Sequence, residues 1–184
     1  MEGVLSKVSY QLYTDGATSK NGTKNAIGGW AYIALKDDKI IDLKAEQLSP
    51  ATNNICELTA ILKGCEFLLP QLETFDIIEV YSDSAYCINC VNQHWYGKWR
   101  QNGWINSSKQ PVKNKEIWER LIPFFDDPRF RWIKVKGHAD NKWNNLVDQL
   151  AVDAKIGIIP YSLDKKSNSI IFSDMISNII EKKE

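Results

Sequence analysis

The chain has 184 residues, 43% of them hydrophobic, which suffices for one sizeable core and leaves little room for two full domains. Lysines and arginines number 23, as do aspartates and glutamates, so the formal charge is zero and no global basic field indicates a nucleic-acid partner. The first residues lack the basic and apolar run of a secretory signal, and no stretch reaches the roughly 18 apolar residues of a membrane span. We therefore expect a soluble, cytoplasmic protein with no membrane partner.

The first part of the chain predicts three consecutive strands. Alternating polar and apolar residues at 9–14 predict a strand that ends at Asp15, where a glycine follows. After a polar loop, the aromatic and β-branched run 29–35 predicts a second strand, and the pair 37–38 predicts a turn into a third strand near 40–43. Three successive strands suggest an antiparallel meander, with the Asp15 carboxylate at a strand terminus.

Helices and strands alternate in the rest of the chain. Thr52 or Asn53 is a suitable N-cap for a helix with apolar residues at helical spacing, which Pro70 ends and which carries Glu57 in its first or second turn. A short apolar strand at 77–81 then leads to Asp83. Further along, the pattern predicts a helix around 86–91, a helix at 115–125, a strand at 130–136 and a helix at about 143–156 that carries Asp148.

This order of elements implies a mixed sheet covered by helices. In open sheets of this kind, ligands collect at strand ends. Asp15 and Asp83 would lie side by side if their strands are neighbours, while helices would deliver Glu57 and Asp148 to the same edge. Clustered carboxylates are the hard oxygen ligands with which two Mg²⁺ or Mn²⁺ ions activate a water and cleave a phosphodiester. The sequence therefore predicts a metal-dependent phosphodiesterase site.

His138 stands in the segment Gly137-His138-Ala139, ten residues before Asp148. A histidine with a near-neutral pKa can accept a proton from a water or assist product departure, which gives it an accessory catalytic role. A histidine that only caps a turn is the alternative.

The four cysteines do not suggest a disulfide scaffold in a chain of this size. Cys87 and Cys90 have the spacing of half a zinc site. Because no second pair accompanies them, we expect buried free thiols on a helix.

A local basic segment supplies the positive charge for nucleic-acid binding that the net charge of the chain does not indicate. Residues 94–115 contain five lysines or arginines and no acid, interleaved with Trp95, Trp99 and Trp104. Positive charge beside aromatic faces suits a phosphate backbone and packing against a deoxyribose. The alternative is that these tryptophans mainly pack a helix and its loop.

The end of the chain changes character. After Gly157 and Pro160 comes a polar segment, followed by a short apolar stripe at 173–180 behind a serine cap. We therefore divide the chain into a domain at 1–158 and a C-terminal extension at 159–184. A short helix packed on the domain, a loosely held tail and a docking helix for a partner are the alternatives for this extension.

Five motifs together resemble type 1 ribonuclease H, over about residues 9–155. Each motif alone is weak, but all five occur in the right order and at compatible spacing. The basic segment 95–114 is also similar to the basic protrusion of bacterial and eukaryotic members. The motifs are Asp15-Gly16-Ala17, the run from Thr52 to Leu58, Asp83-Ser84-Ala85-Tyr86, Gly137-His138-Ala139, and Asp148.

The resemblance implies a ribonuclease H-like α/β fold, a mixed five-stranded sheet flanked by helices. It also implies an endonuclease that hydrolyses the RNA strand of RNA–DNA hybrids and leaves 5′-phosphate and 3′-hydroxyl ends. Asp15, Glu57, Asp83 and Asp148 would hold two Mg²⁺ ions, with Mn²⁺ as a substitute, about 3.5–4 Å apart for in-line attack of water. By the same resemblance, the nucleic-acid contacts would come from Thr52, Asn53, Asn54, Trp95, Lys98, Trp99, Arg100, Trp104, Lys113 and Asn114.

Other functions remain open on the sequence alone. A non-catalytic module that binds hybrids or double-stranded RNA could share this fold, although such a module gains nothing from clustered negative charge. Another two-metal nuclease, such as a junction-cutting or exonucleolytic relative, is a third reading. The chain could be a free-standing protein, which we favour, or a domain of a larger one. We expect a monomer, because no long apolar interface stripe stands out.

Overall fold

The computed structural model describes residues 8–136 and 141–158. Residues 137–140, which include His138, and the extension at 159–184 lie outside the described residues. Within the described part, one sheet is built from β1 (Val8–Ser19), β2 (Ile27–Lys36), β3 (Lys39–Leu48), β4 (Ile77–Ser82) and β5 (Phe130–Lys134). The helices are α1 (Asn53–Leu68), α2 (Ala85–Asn92), α3 (Trp95–Gln101), α4 (Lys115–Phe125) and α5 (Lys142–Lys155), and a 3₁₀ turn at Leu69–Gln71 follows α1.

The sheet is mixed, and the predicted meander is confirmed. Its strand order is β3-β2-β1-β4-β5. β1, β2 and β3 pair antiparallel in succession, whereas β4 pairs parallel with both β1 and β5. Parallel neighbours need crossover connections, which α1 supplies between β3 and β4 and α2 to α4 supply between β4 and β5. The carboxyl ends of β1 and β4 therefore point to the same edge of the sheet.

The predicted end of the first strand is wrong, and the last strand ends at Lys134 instead of residue 136. Asp15 does not end its strand, because β1 continues to Ser19. The reason is the antiparallel ladder with β2, which pairs residues as far as Ser19 with Ile27, whereas the parallel ladder with β4 stops at Thr14 and Ser82. Asp15 is thus the first residue of β1 that no longer pairs with β4, although it still pairs with Ala31 of β2.

β2 lies at the centre of the core and is buried on both faces. Trp30 and Tyr32 point to a cluster formed with α1 and α4, and Ile33 and Leu35 point to a second cluster formed with α5. A strand covered on both faces is apolar throughout instead of alternating, as the run 29–35 is. The two helical layers are therefore fixed on opposite sides of the same strand.

None of the helices in the described ranges is both long and apolar enough to cross a membrane.

Close packing fixes the C-terminal half of α5 on the sheet. A Cβ atom at Gly29 of β2 would lie 2.2 Å from the Ala151 carbonyl oxygen and 2.4 Å from the Lys155 backbone nitrogen. Backbone atoms cannot yield locally, so only glycine allows α5 to lie this close to β2. The Gln47 side-chain amide of β3 also donates to the Lys155 carbonyl at 2.9 Å.

Gly29→Ala should therefore destabilise the fold by about 1–3 kcal/mol, because α5 must shift to admit a methyl group. Gly97→Ala is the matched control, since a Cβ there meets no atom within 4 Å and alanine favours a helix over glycine by up to ~1 kcal/mol. Urea denaturation of both variants measures the difference. Equal stabilities of the two variants would contradict this account of the α5 contact.

Candidate active site

Two strand carboxylates lie side by side because β1 and β4 are parallel neighbours. Thr14 and Ser82 are the last paired residues of this ladder, and the Thr14 hydroxyl donates to the Tyr81 carbonyl at 3.2 Å. Asp15 and Asp83 follow directly on the two strands. The predicted condition for their proximity, adjacent strands, is thus confirmed.

α1 brings a third carboxylate to the same place. Thr52 caps this helix as predicted, since its side chain accepts a hydrogen bond from the Ile55 backbone nitrogen at 3.3 Å. Glu57 then falls in the second turn. A Cβ at Gly16 would lie only 2.5 Å from the Glu57 backbone nitrogen, so glycine next to Asp15 is what lets α1 approach β1.

The three carboxylates form one compact group. Asp15, Glu57 and Asp83 each offer an oxygen, and these oxygens all lie within 4.8 Å of one another. Asp15 is 6% exposed and Glu57 3% exposed. The Gly16 amide donates to Asp15 Oδ1 at 2.8 Å, whereas the buried Glu57 Oε2 has no hydrogen-bond partner among the described residues. Such a set of hard oxygens, one of them orphaned, fits a divalent cation.

The pKa values of these carboxyl groups also favour a bound cation. Burial, then the Asp83 charge, raises the pKa of Asp15 to about 8, and the Gly16 hydrogen bond acts against that rise. Burial, followed by the charges of Asp15 and Asp83, raises the pKa of Glu57 well above its usual range. Three like charges, two of them buried, are costly to ionise together, so without a cation the group favours retained protons.

The fourth predicted carboxylate, Asp148, lies beside the group. It is half-buried on α5, and its charge contributes to the raised pKa of Asp15. In the described part of the chain, the carboxylate oxygens that all lie within 4.8 Å of one another nevertheless belong to the other three residues. The structure thus brings three of the predicted residues together with the fourth adjoining them, while the position of His138 stays a prediction.

A groove of about 640 Å³ is lined by some of the residues predicted to contact nucleic acid. Five of the predicted contact residues line it: Asn54, Trp95, Lys98, Trp99 and Lys113.

Two other predicted contacts, Arg100 and Trp104, line a separate depression of about 310 Å³, with Glu119 on the same wall. Lys98 and Arg100 are two residues apart on α3, and side chains at that spacing point to different faces of a helix. The basic segment therefore divides between two surfaces.

The tryptophans of the basic segment differ in role. Trp99 is 7% exposed and packs edge-on against the buried Trp118, with ring centres 5.4 Å apart. Trp95 and Trp104 are half-buried, and the Lys115 ammonium lies 5.5 Å from the Trp104 ring centre. The packing interpretation thus fits Trp99 best, whereas Trp95 presents part of its ring to the groove.

The polar candidates at helix N-termini also differ. The Thr52 side-chain oxygen is engaged in capping α1, and the Asn53 backbone nitrogen donates to Asn21 Oδ1 at 3.2 Å. Asn114 precedes α4 in a left-handed conformation and makes no side-chain capping bond.

Sequence reasoning missed Tyr86. This residue lines the groove, and its ring contacts Trp95 and Trp118 at 6.1 and 5.5 Å between centres. Its place three residues after Asp83, on the first turn of α2, was the available signal.

The cysteines are buried and free, including Cys87 and Cys90 on α2. Burial raises the pKa of Cys90 to about 12, so its thiol stays protonated at neutral pH.

The chain is similar to known proteins over most of its length. The family model described as RNase H matches residues 7–156. A protein named Ribonuclease H from Clostridium botulinum is 42% identical over 143 residues, which cover 78% of this chain and 93% of the relative.

Solved structures show the same fold. The crystal structure of LC9-RNase H1, described as a type 1 RNase H with the type 2 active-site motif, superposes with a TM-score of 0.68 at 19% identity and covers 92% of this chain and 85% of that one. A foamy viral protease-reverse transcriptase in complex with RNA/DNA hybrid gives a TM-score of 0.70 at 20% identity, over 82% of this chain and 20% of that one. The predicted ribonuclease H-like fold is thus confirmed.

The raised pKa values of Asp15 and Glu57 give a pH prediction for the metal-free protein. A carboxyl whose pKa is higher in the folded state stabilises that state at low pH and loses this contribution as the pH rises through the folded value. In EDTA, the melting temperature should therefore fall between pH 5 and pH 8.5. Glu57→Gln should reduce this fall, because its side chain cannot ionise, and Mg²⁺ at pH 8.5 should raise the melting temperature of the wild type more than that of the variant.

Thermal unfolding followed by circular dichroism measures both effects. Glu119→Gln is the matched control, since Glu119 is exposed on α4. An equal fall with pH in the wild type and in Glu57→Gln would contradict the assignment of the destabilising charges to this group.

Proposed function

This chain belongs to the ribonuclease H family, and we propose that it is an endonuclease that hydrolyses the RNA strand of RNA–DNA hybrids. Ribonucleases H are metal-dependent nucleases, and the chain spans 93% of the length of its Clostridium botulinum relative. The similar fold in the foamy viral complex with an RNA/DNA hybrid supports this choice of substrate.

The observation that carries the proposal is the carboxylate group at the point where the parallel pairing of β1 with β4 stops. Asp15, Glu57 and Asp83 converge within 4.8 Å although two of them are buried. A fold does not keep like charges together in its interior without a reason, since each charge costs free energy to desolvate. A bound cation supplies that reason.

We assign the cofactor as two Mg²⁺ ions, for which Mn²⁺ can substitute, held by Asp15, Glu57, Asp83 and Asp148. When bound, these ions activate a water and stabilise the leaving oxygen of an in-line displacement. The protein's part is to fix the ligands: the β1–β4 ladder sets Asp15 and Asp83, and α1 sets Glu57 against Gly16.

In the reaction, water attacks the phosphorus and the bond between phosphorus and the 3′ oxygen breaks. The products are a 5′-phosphate and a 3′-hydroxyl end. We assign to His138 the acceptance of a proton from the water or assistance to product departure.

The groove next to α3 suits the DNA strand of the hybrid, which is not cut. Lys98 and Lys113 are exposed at its rim and suit phosphates, while the half-buried ring of Trp95 suits the face of a deoxyribose. Since the net charge of the chain is zero, these local charges must provide the attraction that steers the hybrid to the site.

If the protein contacts sugars and phosphates, it should recognise the shape of the hybrid more than its base sequence. We propose that Asn53, Asn54 and Asn114 contact the minor groove or backbone, where 2′-hydroxyls distinguish RNA from DNA. Thr52 would contact a DNA phosphate through its hydroxyl proton, since its oxygen already caps α1.

The carboxylate group also weighs against a non-catalytic binding module. Asp15 and Asp83 would repel a phosphate backbone unless cations neutralised them. We further propose that residues 1–158 form the catalytic domain and that the protein acts as a monomer.

Asp83→Asn tests the catalytic assignment. The substitution keeps the shape of the side chain and removes the charge, so hybrid cleavage should fall by at least roughly 10²-fold while folding and hybrid binding persist. The assay is gel-resolved cleavage of a hybrid labelled on either strand, beside single-stranded RNA, duplex RNA and duplex DNA, with Mg²⁺, Mn²⁺ or EDTA.

Asp38→Asn is the matched control, because Asp38 lies exposed in the turn between β2 and β3. Metal-dependent cutting of the RNA strand by the wild type and by Asp38→Asn is expected. Full activity of Asp83→Asn would refute the assignment, and binding without cutting by the wild type would favour the non-catalytic module.

The groove makes a separate prediction about affinity. Lys98→Ala combined with Lys113→Ala should weaken hybrid binding at every sequence and reduce the slope of log affinity against log salt by roughly 2. Lys39→Ala, at an exposed position where β3 begins, is the control and should change neither quantity. Fluorescence anisotropy of a labelled hybrid in Ca²⁺ at several salt concentrations measures both. An unchanged salt slope would remove the two lysines from the interface.

A further inference from the structure

One row of paired residues between β1 and β4 changes from apolar to polar just before the two strand carboxylates. Leu12 and Val80 are partners in this parallel ladder, and both are fully buried. The next pair on the same face is Thr14 with Ser82, the last pair of the ladder, and both residues are also 0% exposed. Two hydroxyl groups therefore lie in the core at the point where β1 and β4 stop pairing.

Thr14 joins the two strands through its side chain. Its hydroxyl donates a hydrogen bond to the Tyr81 carbonyl oxygen of β4 at 3.2 Å. Valine has nearly the shape of threonine and would fill this buried position without the cost of desolvating a hydroxyl, so packing alone does not require threonine here. What the hydroxyl adds is a cross-strand bond one residue before Asp15, where the backbone pairing of the ladder ends.

Ser82 holds the turn that presents Asp83. Its side-chain oxygen accepts a hydrogen bond from the Ser84 backbone nitrogen at 3.1 Å, so this bond spans Asp83. The ladders of β4 with β1 and with β5 both end at Ser82, and the side chain thus supplies a partner beyond the reach of either ladder. Ser84 in turn caps α2, because its side chain accepts from the Cys87 backbone nitrogen at 3.3 Å. Serine side chains therefore fix the backbone on both sides of Asp83.

We propose that Thr14 and Ser82 are positioning residues: their buried hydroxyls set the spacing of Asp15 and Asp83 and the direction in which the chain leaves β4. The oxygens of the carboxylate group all lie within 4.8 Å of one another, so a small shift of either backbone changes their geometry as a metal site. The inference deepens the proposed function and rests on it, since the two carboxylates must bind metal for their spacing to matter.

Thr14 allows a matched pair of variants. Thr14→Val removes the hydroxyl and keeps the shape, whereas Thr14→Ser keeps the hydroxyl and removes a methyl group from a fully buried position. If Thr14 only packed the core, Thr14→Ser would be the more damaging change. If the hydroxyl positions Asp15 and Asp83, Thr14→Val should weaken metal binding and catalysis more than Thr14→Ser does.

Two further variants complete the set. Ser82→Ala removes the acceptor for the Ser84 amide and tests the same geometry independently, also in the case that Thr14→Val does not fold. Tyr10→Phe is the matched control, because Tyr10 is a buried residue of β1 in the same row as Thr14, and its hydroxyl also donates to a backbone carbonyl, that of Gln71 at 3.4 Å. The row places Tyr10 four residues before Thr14, on the side away from the carboxylates.

NMR titration with Mg²⁺ in the absence of hybrid measures metal binding apart from catalysis. Thr14→Val and Ser82→Ala should each bind Mg²⁺ roughly tenfold more weakly than the wild type, whereas Thr14→Ser and Tyr10→Phe should stay within roughly twofold. In the cleavage assay, Thr14→Val and Ser82→Ala should also lower kcat by roughly tenfold and leave KM for the hybrid unchanged.

Amide hydrogen exchange in EDTA tests the turn itself. The Ser84 amide should exchange at least roughly threefold faster in Ser82→Ala than in the wild type or in Tyr10→Phe, because its hydrogen-bond acceptor is gone. Unchanged exchange at Ser84 would overturn the restraint on the turn.

The metal titration decides between positioning and packing. Wild-type Mg²⁺ affinity in both Thr14→Val and Ser82→Ala would overturn the positioning role, and so would an equal loss of affinity in Thr14→Val and Thr14→Ser. A wild type that binds Mg²⁺ more tightly than Thr14→Val but cuts no hybrid would overturn the proposed function and support the positioning role.

Discussion

The parallel pairing of β1 with β4 holds two aspartates at the same edge of the sheet, and the rest of the site depends on it. The ladder stops at Thr14 and Ser82, so Asp15 and Asp83 follow side by side and cannot separate without breaking backbone hydrogen bonds. α1 then adds Glu57 where Gly16 leaves no side chain in the way. Burial and mutual repulsion raise the pKa of Asp15 to about 8. The protein thus builds a charge conflict that the proposed cations would resolve.

Such a conflict requires stability from elsewhere in the fold. β2 provides much of it, because Trp30 and Ile33 lie in separate apolar clusters on its two faces and are almost fully buried. A second source is the aromatic packing around Trp118, whose ring contacts Tyr86, Trp99 and Phe125 at 5.4–6.2 Å between centres. This packing also orders the wall of the groove, so the residues that stabilise the domain shape the surface proposed to bind the hybrid.

The sequence predicted the strands, the helices and the meander, because each followed from a strong local signal such as alternation or a helix cap. It predicted the convergence of Asp15, Glu57 and Asp83 only on the condition that the strands of Asp15 and Asp83 are neighbours, which the parallel pairing of β1 with β4 fulfils. It was wrong about the end of β1, since strand length depended on pairing with β2, which a local pattern does not contain. It also grouped Lys98 with Arg100, although the helical geometry of α3 separates them.

The Tyr13 ring of β1 stacks on the Tyr81 ring of β4 with ring centres 4.5 Å apart, and no local pattern in the sequence predicted this contact. It depends on the register of two strands whose partners are more than sixty residues apart in the chain. His138 and the extension at 159–184 lie outside the described residues, so their roles stay predictions from motif and composition.

The four proposed ligands are held in two different ways, and this difference has a mechanical consequence. Asp15 and Asp83 belong to adjacent strands, and Glu57 is locked against Gly16, so their spacing changes only if the core changes. Asp148 is carried by a single helix, whose C-terminal half packs against Gly29 and whose first turn is capped by Asn141. A shift of either end moves Asp148 without disturbing the sheet, because no backbone ladder joins α5 to β1. The fourth carboxylate is therefore the proposed ligand whose geometry depends on the packing of one helix rather than on the sheet.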